Sequence, residues 1–223
     1  AIPAELGGDG MKLYGYFRSS AAYRVRIALN LKEIAYEQVA VNLVQGEQRS
    51  RDNVVRNPQG LVPVLETDDG RWLTQSLAIC EYLEERHPEP PLLPEDIEGR
   101  ARVRALAQAV ASEIHPLNNL KVLNYLTSEL GVDDERKLVW YRHWVQEGFF
   151  AMETMLADAS ETGQFCHSNL PTLADVCLVP QVFNARRFDC DLSNFPTIQR
   201  IADHCSQLKC FADARPECQP DGN

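Results

Sequence analysis

The sequence predicts an α/β domain followed by an all-helical domain, and three observations support this division. Short strand-like apolar segments occur only in the first part of the chain, where they flank a helix with an apolar face. After about residue 95 the apolar spacing is helical, with no strand pattern or internal repeat. Between the two parts lies the proline-rich stretch from His87 to Pro94, which is typical of a domain boundary.

The first strand and helix are predicted from the start of this pattern. Residues 11–16 indicate a short buried strand, and Tyr23 and Ile27 begin one apolar face of a helix. Ser19 and Ser20 then lie at the helix N-terminus, where backbone N–H groups lack helical partners and the helix dipole is positive. Such a position favours an anion, here a thiolate, carboxylate or phosphate. A plain serine N-cap explains the same pattern.

The remaining elements of the first domain complete a βαβ unit followed by a ββα unit. Residues 36–41 alternate as a second strand, which the right-handed crossover rule makes parallel to the first. Asp69-Gly70 lies between two apolar runs and predicts an antiparallel hairpin. Gln75-Ser76 opens a helix that ends before the proline-rich stretch. This order is the plan of a thioredoxin-like domain.

Pro63 opens a strand that should be central in the sheet. A trans proline would remove a hydrogen bond of the strand ladder there. We therefore predict a cis Val62–Pro63 peptide in a tight turn.

The second domain is predicted to contain helices only. Apolar residues recur at helical spacing from Val103 to Leu117, with Pro116 as a kink. Thr172 to Asp175 resembles a capping box that starts a helix running through Arg187. We thus divide the chain into a thioredoxin-like domain at residues 11–87, a linker at 88–96 and a helical domain at 97–223. Residues 1–10 are interpreted as an appended segment outside the fold.

Composition argues against several classes of partner and site. The net charge of −10 disfavours nucleic acid and anionic membranes, and no apolar run approaches the ~20 residues that span a bilayer. The seven cysteines are scattered and lack the C-x-x-C spacing of a zinc site, so no metal is expected. Reduced thiols in a cytoplasmic protein are the favoured interpretation, with Cys80 and Cys177 in the core.

Several separate motifs occur in order along the chain. They are Phe17-Arg18-Ser19-Ser20 with Arg24-Val25-Arg26-Ile27-Ala28-Leu29, Asn57-Pro58 leading to Leu61-Val62-Pro63, Gln75-Ser76-Leu77-Ala78-Ile79, and Leu178-Val179-Pro180-Gln181-Val182. Together these motifs resemble the zeta-class glutathione transferases. The segment from Ile114 to Asn119, Ile-His-Pro-Leu-Asn-Asn, resembles more narrowly the bacterial maleylacetoacetate and maleylpyruvate isomerases of that class. The resemblance runs from about Met11 to Asp221.

The resemblance implies glutathione as the cofactor and assigns residues to it. Val62, with Pro63 in the cis form, would pair its backbone with the cysteinyl unit. Gln75 and Ser76 would hold the γ-glutamyl end, and Gln48 would reach the glycyl carboxylate. Purely structural roles are the alternatives for these side chains. The serine could be only a helix cap, and Gln48 could be only a solvated glutamine in a loop.

The same resemblance places other residues at the thiol. Ser19 would be the hydroxyl nearest the thiolate, with Ser20 as support, and His115 and Asn118 would approach from the helical domain. The alternative for His115 is a core histidine whose ring is hydrogen bonded within the protein. Ala21 stands where the class usually has a cysteine, so the sulfur nucleophile would come from glutathione itself.

The implied reaction is the cis-to-trans isomerisation of a conjugated diacid. Addition of a thiolate to the cis double bond would permit rotation, and its expulsion would restore the trans alkene. Negative charge then develops on the substrate's carbonyl oxygen, so nearby cations should lower the barrier. Arg18, Lys121 and Arg187 are the candidates. Arginine occurs at the Lys121 position in some maleylpyruvate isomerases, which favours maleylacetoacetate, an intermediate of tyrosine and phenylalanine catabolism.

Other interpretations remain open from the sequence. Lys121 and Arg187 could be solvated helix charges. The enzyme could be a maleylpyruvate isomerase, or a general transferase that conjugates small electrophiles and releases the thioether. A non-catalytic glutathione-binding or partner-binding module is a third hypothesis, suggested by Ala21. The resemblance also implies a homodimer.

Overall fold

The computed structural model describes residues 10–222, which form two compact units. The first contains residues 10–90 together with residues 213–222, and the second contains residues 91–212. The expectation for residues 1–10 lies outside the described residues, apart from residue 10 itself.

A mixed four-stranded sheet forms the centre of the first unit. Its strands are β1 (Met11–Gly15), β2 (Tyr36–Ala40), β3 (Val64–Glu66) and β4 (Trp72–Thr74). Their order is β2-β1-β3-β4, with β1 and β2 parallel and the other neighbours antiparallel. The predicted thioredoxin-like order is confirmed.

Three helices accompany this sheet: α1 (Ser20–Leu31), α2 (Arg51–Arg56) and α3 (Ser76–Arg86). Helix α1 is buried along most of its length, including Arg24 and Arg26, each 1% exposed. Helix α2 was not predicted, because its six residues form no buried apolar stripe. It begins where the Ser50 hydroxyl accepts a hydrogen bond from the Asn53 amide at 3.3 Å.

The second unit is helical, as predicted. Its α-helices are α4 (Ile97–Gln108), α5 (Leu120–Ser128), α6 (Asp134–Ala157), α7 (Leu173–Arg187), α8 (Pro196–Cys205) and α9 (Lys209–Ala212). Among residues 10–222, no helix combines the length and the apolar character needed to cross a membrane.

The helix that follows the linker changes its winding before Pro116. Helix α4 passes into a π-helical segment at Ala109–Ile114 and then a 3₁₀ turn at His115–Asn118. A side chain at Gly148 of α6 would collide with Ile114, so this glycine allows α6 to pack closely against the π-helical segment. In place of the single kink predicted at Pro116, the chain changes from an α-helix to a π-helix and then to a 3₁₀ helix.

The capping box at the start of α7 is confirmed. The buried Asp175 carboxylate accepts hydrogen bonds from the Thr172 amide at 2.8 Å, the Thr172 hydroxyl at 2.9 Å and the Cys166 amide at 2.8 Å. Burial raises the pKa of Asp175 from its ordinary value, and these hydrogen bonds act in the opposite direction.

The chain terminus lies in a different unit from the one the sequence indicated. Residues 213–222 pack with the sheet-containing unit, whereas the sequence pattern grouped residues 97–223 as helical. The physical reason is a set of polar contacts with α1 and the β1–α1 turn. One of them joins the Arg26 Nε donor to the Ala214 carbonyl at 2.9 Å.

A buried ammonium holds the start of the proline-rich linker. Lys32 Nζ lies 2.7 Å from Glu84 Oε2, 2.6 Å from the His87 carbonyl and 2.9 Å from the Pro90 carbonyl. All three hydrogens of the ammonium therefore have acceptors. The sequence did not indicate this contact, because its partners lie more than 50 residues from Lys32.

All seven cysteines of the chain are free thiols, consistent with the predicted reduced state. Cys80 and Cys177 are buried, which confirms their prediction as core residues.

Candidate functional site

Ser19 is the N-cap of α1. Its φ and ψ of −70° and 115° are extended, and its hydroxyl oxygen accepts a hydrogen bond from the Ala22 amide at 3.2 Å. The capping interpretation is therefore correct. A serine hydroxyl has one donor hydrogen in addition to its acceptor lone pairs, so capping leaves that hydrogen available for a second partner. Ser19 can cap the helix and donate to an anion at the same time.

The residues beside Ser19 differ in their exposure. Ser20 is the first residue of α1 and only 5% exposed. Arg18 is exposed, and its guanidinium carbon lies 4.8 Å from the centre of the Phe17 ring. The β1–α1 turn thus presents one half-buried hydroxyl, at Ser19, and one exposed cation.

A second helix start in the same unit carries Ser76. Gln75 precedes it with a φ of 69°, a left-handed conformation that is uncommon for a residue other than glycine. The Gln75 side chain donates a hydrogen bond from Nε2 to Gln59 Oε1 at 2.7 Å. Strained conformations of this kind cluster at ligand sites.

Arg24 connects the two helix starts. This buried residue of α1 donates from Nη1 to the Ser76 hydroxyl at 3.2 Å. A buried guanidinium therefore lies beside the N-terminus of α3, where the helix dipole is also positive. The contact of Arg24 with Ser76 was not predicted from the sequence. The available signal was a charged residue among core positions of α1.

Val62 precedes β3 and is half-buried. The Val62–Pro63 peptide is cis, which confirms that prediction. Within residues 10–222, no hydrogen bond is found for the Val62 backbone N–H or C=O. Backbone groups in this state can pair with an extended peptide.

Gln48 lies in the short 3₁₀ turn Glu47–Arg49. Its backbone carbonyl accepts a hydrogen bond from Asn53 Nδ2 at 2.8 Å, which ties the turn to α2. Its side-chain Oε1 is buried and has no hydrogen-bond partner among the described residues. A buried amide without a partner is costly, so a ligand that pairs with it would be favoured.

Within the helical unit, Asn118 shows the same feature. It is 8% exposed, and its Nδ2 donates to the Tyr141 carbonyl at 3.1 Å. Its Oδ1 is buried and finds no donor in the described part of the chain. Because the Tyr141 contact fixes the orientation of the amide, Oδ1 is available as an acceptor. His115 is half-buried in the same 3₁₀ turn.

The two cations predicted in the helical unit are exposed. Lys121 lies in the first turn of α5. Arg187 ends α7, with its guanidinium carbon 5.0 Å from the centre of the Phe188 ring. The Phe188 ring in turn stacks on Tyr141 at 3.9 Å. Asn118 and Arg187 are therefore linked through Phe188 and Tyr141, a buried residue of α6 that was not predicted as part of the site.

The donor set fits a peptide with charged ends and a thiol. The first unit offers a serine hydroxyl at each of two helix starts and unpaired backbone groups at Val62. No group of His, Cys, Asp and Glu side chains suited to a metal ion occurs in residues 10–222.

Comparison with known proteins agrees with this geometry. The family described as "Glutathione S-transferase, N-terminal domain" matches residues 13–91. A probable maleylacetoacetate isomerase of Vibrio cholerae is 53% identical over 211 residues, covering 94% of this chain and 97% of that protein.

Two solved structures are similar over nearly the whole chain. A holo structure of maleylpyruvate isomerase, a bacterial zeta-class glutathione S-transferase, has a TM-score of 0.92 at 46% identity and covers 94% of this chain and 99% of its own. A maleylacetoacetate isomerase from Methylobacterium extorquens AM1 with bound malonate and glutathione has a TM-score of 0.91 at 44% identity. It covers 94% of this chain and 98% of its own.

Proposed function

The chain belongs to the glutathione transferases, in the zeta class of maleylacetoacetate and maleylpyruvate isomerases, and from this we propose that it isomerises maleylacetoacetate. It is a glutathione-dependent cis–trans isomerase. The observation that carries the proposal is the Ser19 hydroxyl, which caps α1 through its oxygen and retains its hydrogen for a thiolate. Arg18, Lys121 and Arg187 are the cations that would then set the substrate class.

Glutathione is the cofactor, and it supplies the thiol. Ser76 and Gln75 would hold its γ-glutamyl end, where Arg24 adds positive charge. Val62, beside Pro63, would pair with its cysteinyl backbone. This assignment is supported by the backbone groups of Val62, which find no partner among residues 10–222.

The remaining cofactor contacts involve amide and imidazole side chains. Because Gln48 Oε1 has no hydrogen-bond partner among residues 10–222, the side-chain amide can turn and present Nε2 to the glycyl carboxylate. Asn118 would accept an N–H through Oδ1, and His115 would approach from the same turn.

Ser19 lowers the free energy of the thiolate relative to the thiol. An unperturbed thiol has a pKa near ~8.5, so only a few per cent is ionised at neutral pH. A pKa lower by ~2 units requires ~2.7 kcal/mol of preferential stabilisation. A hydroxyl donor to a charged acceptor contributes ~1.5–3 kcal/mol, and the helix terminus a further ~0.3–2 kcal/mol. Ser19 and the α1 terminus therefore suffice, with Ser20 as support.

Arg18, Lys121 and Arg187 would bind the carboxylates and the developing negative charge of the substrate. The malonate bound by the Methylobacterium extorquens relative is a dicarboxylate, which supports a dianionic substrate for this chain as well. Arg18 lies next to Ser19, so it is the cation we place at the reacting carbonyl.

The direct test is an assay with both cis diacids. We expect maleylacetoacetate to be converted to its trans isomer, with glutathione recovered unchanged. Faster turnover of maleylpyruvate would reassign the substrate within the class. Accumulation of a thioether would instead indicate a conjugating transferase, and binding of glutathione without turnover would indicate a non-catalytic module.

Replacing Arg187 with methionine should lower kcat/KM for the diacid relative to an uncharged electrophile such as a chloro-nitroarene. Because an exposed cation is partly screened by water, we expect a change of at least about tenfold in the ratio, or about 1.4 kcal/mol. The ratio cancels any damage to glutathione binding. Arg186→Met is the matched control, since Arg186 pairs with Asp203 at 2.7 Å. Equal ratios in both variants would show that Arg187 does not recognise substrate charge.

The same class membership supports a homodimer. Exposed apolar side chains such as Val44 (82% exposed) and Phe150 (68% exposed) are compatible with covered surface in an assembly. Sedimentation at micromolar concentration should give about twice the 25.2 kDa chain mass. A single species of chain mass would contradict the assignment.

We place the enzyme in the cytoplasm. Seven free thiols, five of them buried, are typical of a protein that folds under reducing conditions.

A further inference from the structure

The backbone N–H and the backbone carbonyl of Phe17 both form hydrogen bonds with side chains. Its N–H donates to Asp221 Oδ2 at 3.0 Å, and its carbonyl accepts from Arg26 Nη2 at 3.0 Å. Phe17 lies two residues before Ser19, and the Ser19 amide closes the turn by donating to the Tyr16 carbonyl at 2.9 Å. The conformation of the β1–α1 turn is therefore fixed by groups outside it.

One of these groups comes from residues 213–222, which we call the terminal segment. Gln38 of β2 donates to Asp221 Oδ1 at 3.0 Å, so both carboxylate oxygens are paired. Arg26 joins the turn to the same segment, because its Nε donates to the Ala214 carbonyl at 2.9 Å. Burial lowers the pKa of Arg26 to about 10, so it remains a cation at neutral pH.

The terminal segment is ordered by its own contacts. The buried Gln219 side chain donates from Nε2 to the Asp213 carbonyl at 2.9 Å and to the Arg215 carbonyl at 2.7 Å. A Cβ at Gly222 would lie 2.5 Å from the Pro216 carbonyl oxygen and 3.4 Å from the Phe17 ring. Only glycine allows this approach, so the segment closes directly against the turn that carries Ser19.

We propose that Asp221 is a positioning residue for the Ser19 hydroxyl, acting through the Phe17 amide. The inference rests on the proposed function, because it takes Ser19 as the donor to the cofactor thiolate. The strength of such a donor depends on its distance and angle to the sulfur, and displacements of well under 1 Å reduce it. The terminal segment thereby contributes to the reaction without touching the reacting atoms.

Two substitutions at Asp221 separate geometry from charge. Asp221→Ala removes both hydrogen bonds of the side chain. Asp221→Asn removes the charge but can keep both bonds, since Asn Oδ1 can accept from Phe17 while Asn Nδ2 donates to a flipped Gln38 amide. Gln38→Ala is the control that leaves the contact between Asp221 and Phe17 in place.

Three measurements are made on each variant. They are the pKa of the bound glutathione thiol by thiolate absorbance, hydrogen exchange of residues 15–19, and kcat and KM for the isomerisation. In Asp221→Ala we expect faster exchange, a higher thiol pKa and a kcat lower by about tenfold, with little change in the KM for glutathione. Asp221→Asn should recover most of each loss, and Gln38→Ala should show the smaller effect.

The inference is overturned if the thiol pKa in Asp221→Ala equals that of the wild type. It is equally overturned if Asp221→Asn is as impaired as Asp221→Ala, because the charge alone would then matter. Failure of the proposed function has a different signature, namely a wild-type protein that isomerises neither diacid. The thiol titration and the hydrogen exchange still test Asp221 in that case.

Discussion

Replacing Lys32 with methionine is expected to lower the free energy of unfolding by about 3–5 kcal/mol. The Lys32 side chain is 0% exposed and the Glu84 side chain 9% exposed, so the pair is shielded from water. The variant removes the ammonium from Glu84 and from the carbonyls of His87 and Pro90. Glu84 is then left buried without its counter-ion, the two linker carbonyls lose a donor, and the linker loses its attachment to the C-terminal end of α1.

Urea denaturation followed by far-UV circular dichroism measures this effect. Lys137→Met is the matched control, because Lys137 pairs with Asp134 on the surface of α6 and its loss should have a much smaller effect. The double variant Lys32→Met/Glu84→Leu should regain part of the loss, since an apolar pair can replace a buried ion pair. A Lys32→Met protein no less stable than Lys137→Met would contradict the role assigned to this ammonium.

Lys32 illustrates what the sequence could not provide. The βαβ-ββα order of elements, the hairpin at Asp69-Gly70 and the capping box at Thr172 follow from local periodicity and turn chemistry, and all are confirmed. The partners of Lys32 depend on how distant segments pack, and one lysine in a helix end has no distinguishing pattern. Helix α2 was missed for a related reason, since it is a six-residue helix whose two valines are exposed and which begins at a serine cap.

The candidate site divides in the same way. Ser19 and Ser20 were predicted as an anion site from a local pattern, because their hydroxyls occur where a strand gives way to a helix, whereas Gln75 and Ser76 were assigned through the family resemblance. Asp221 was not predicted, because it contacts Phe17 across 204 residues of chain. No local pattern could indicate a contact of that length. Supporting residues of a site are thus harder to predict than the residues they support.

Replacing Ser19 with alanine is expected to lower turnover at pH 7 by roughly 10- to 150-fold, while glutathione affinity changes little. The hydroxyl donates to the thiolate form only, whereas Val62, Gln75 and Ser76 would hold the peptide in either form. Thiolate absorbance of the bound cofactor should titrate at a higher pH in the variant. An identical titration in the variant and the wild type would show that Ser19 is only a cap.

Ser19→Gly separates the two roles of this residue. Glycine at an N-cap costs only a few tenths of a kcal/mol relative to serine, whereas alanine costs ~0.5–2 kcal/mol. Stability should therefore fall less in Ser19→Gly than in Ser19→Ala, but both lack the hydroxyl and should show the same rise in thiol pKa. If turnover follows stability instead, the cap explains the effect.

Loss of the donor moves the acidic limb of the pH–rate profile toward ~8.5, the pKa of a free thiol. The deficit at pH 7 should then shrink near pH 9, where the thiol is ionised with or without Ser19.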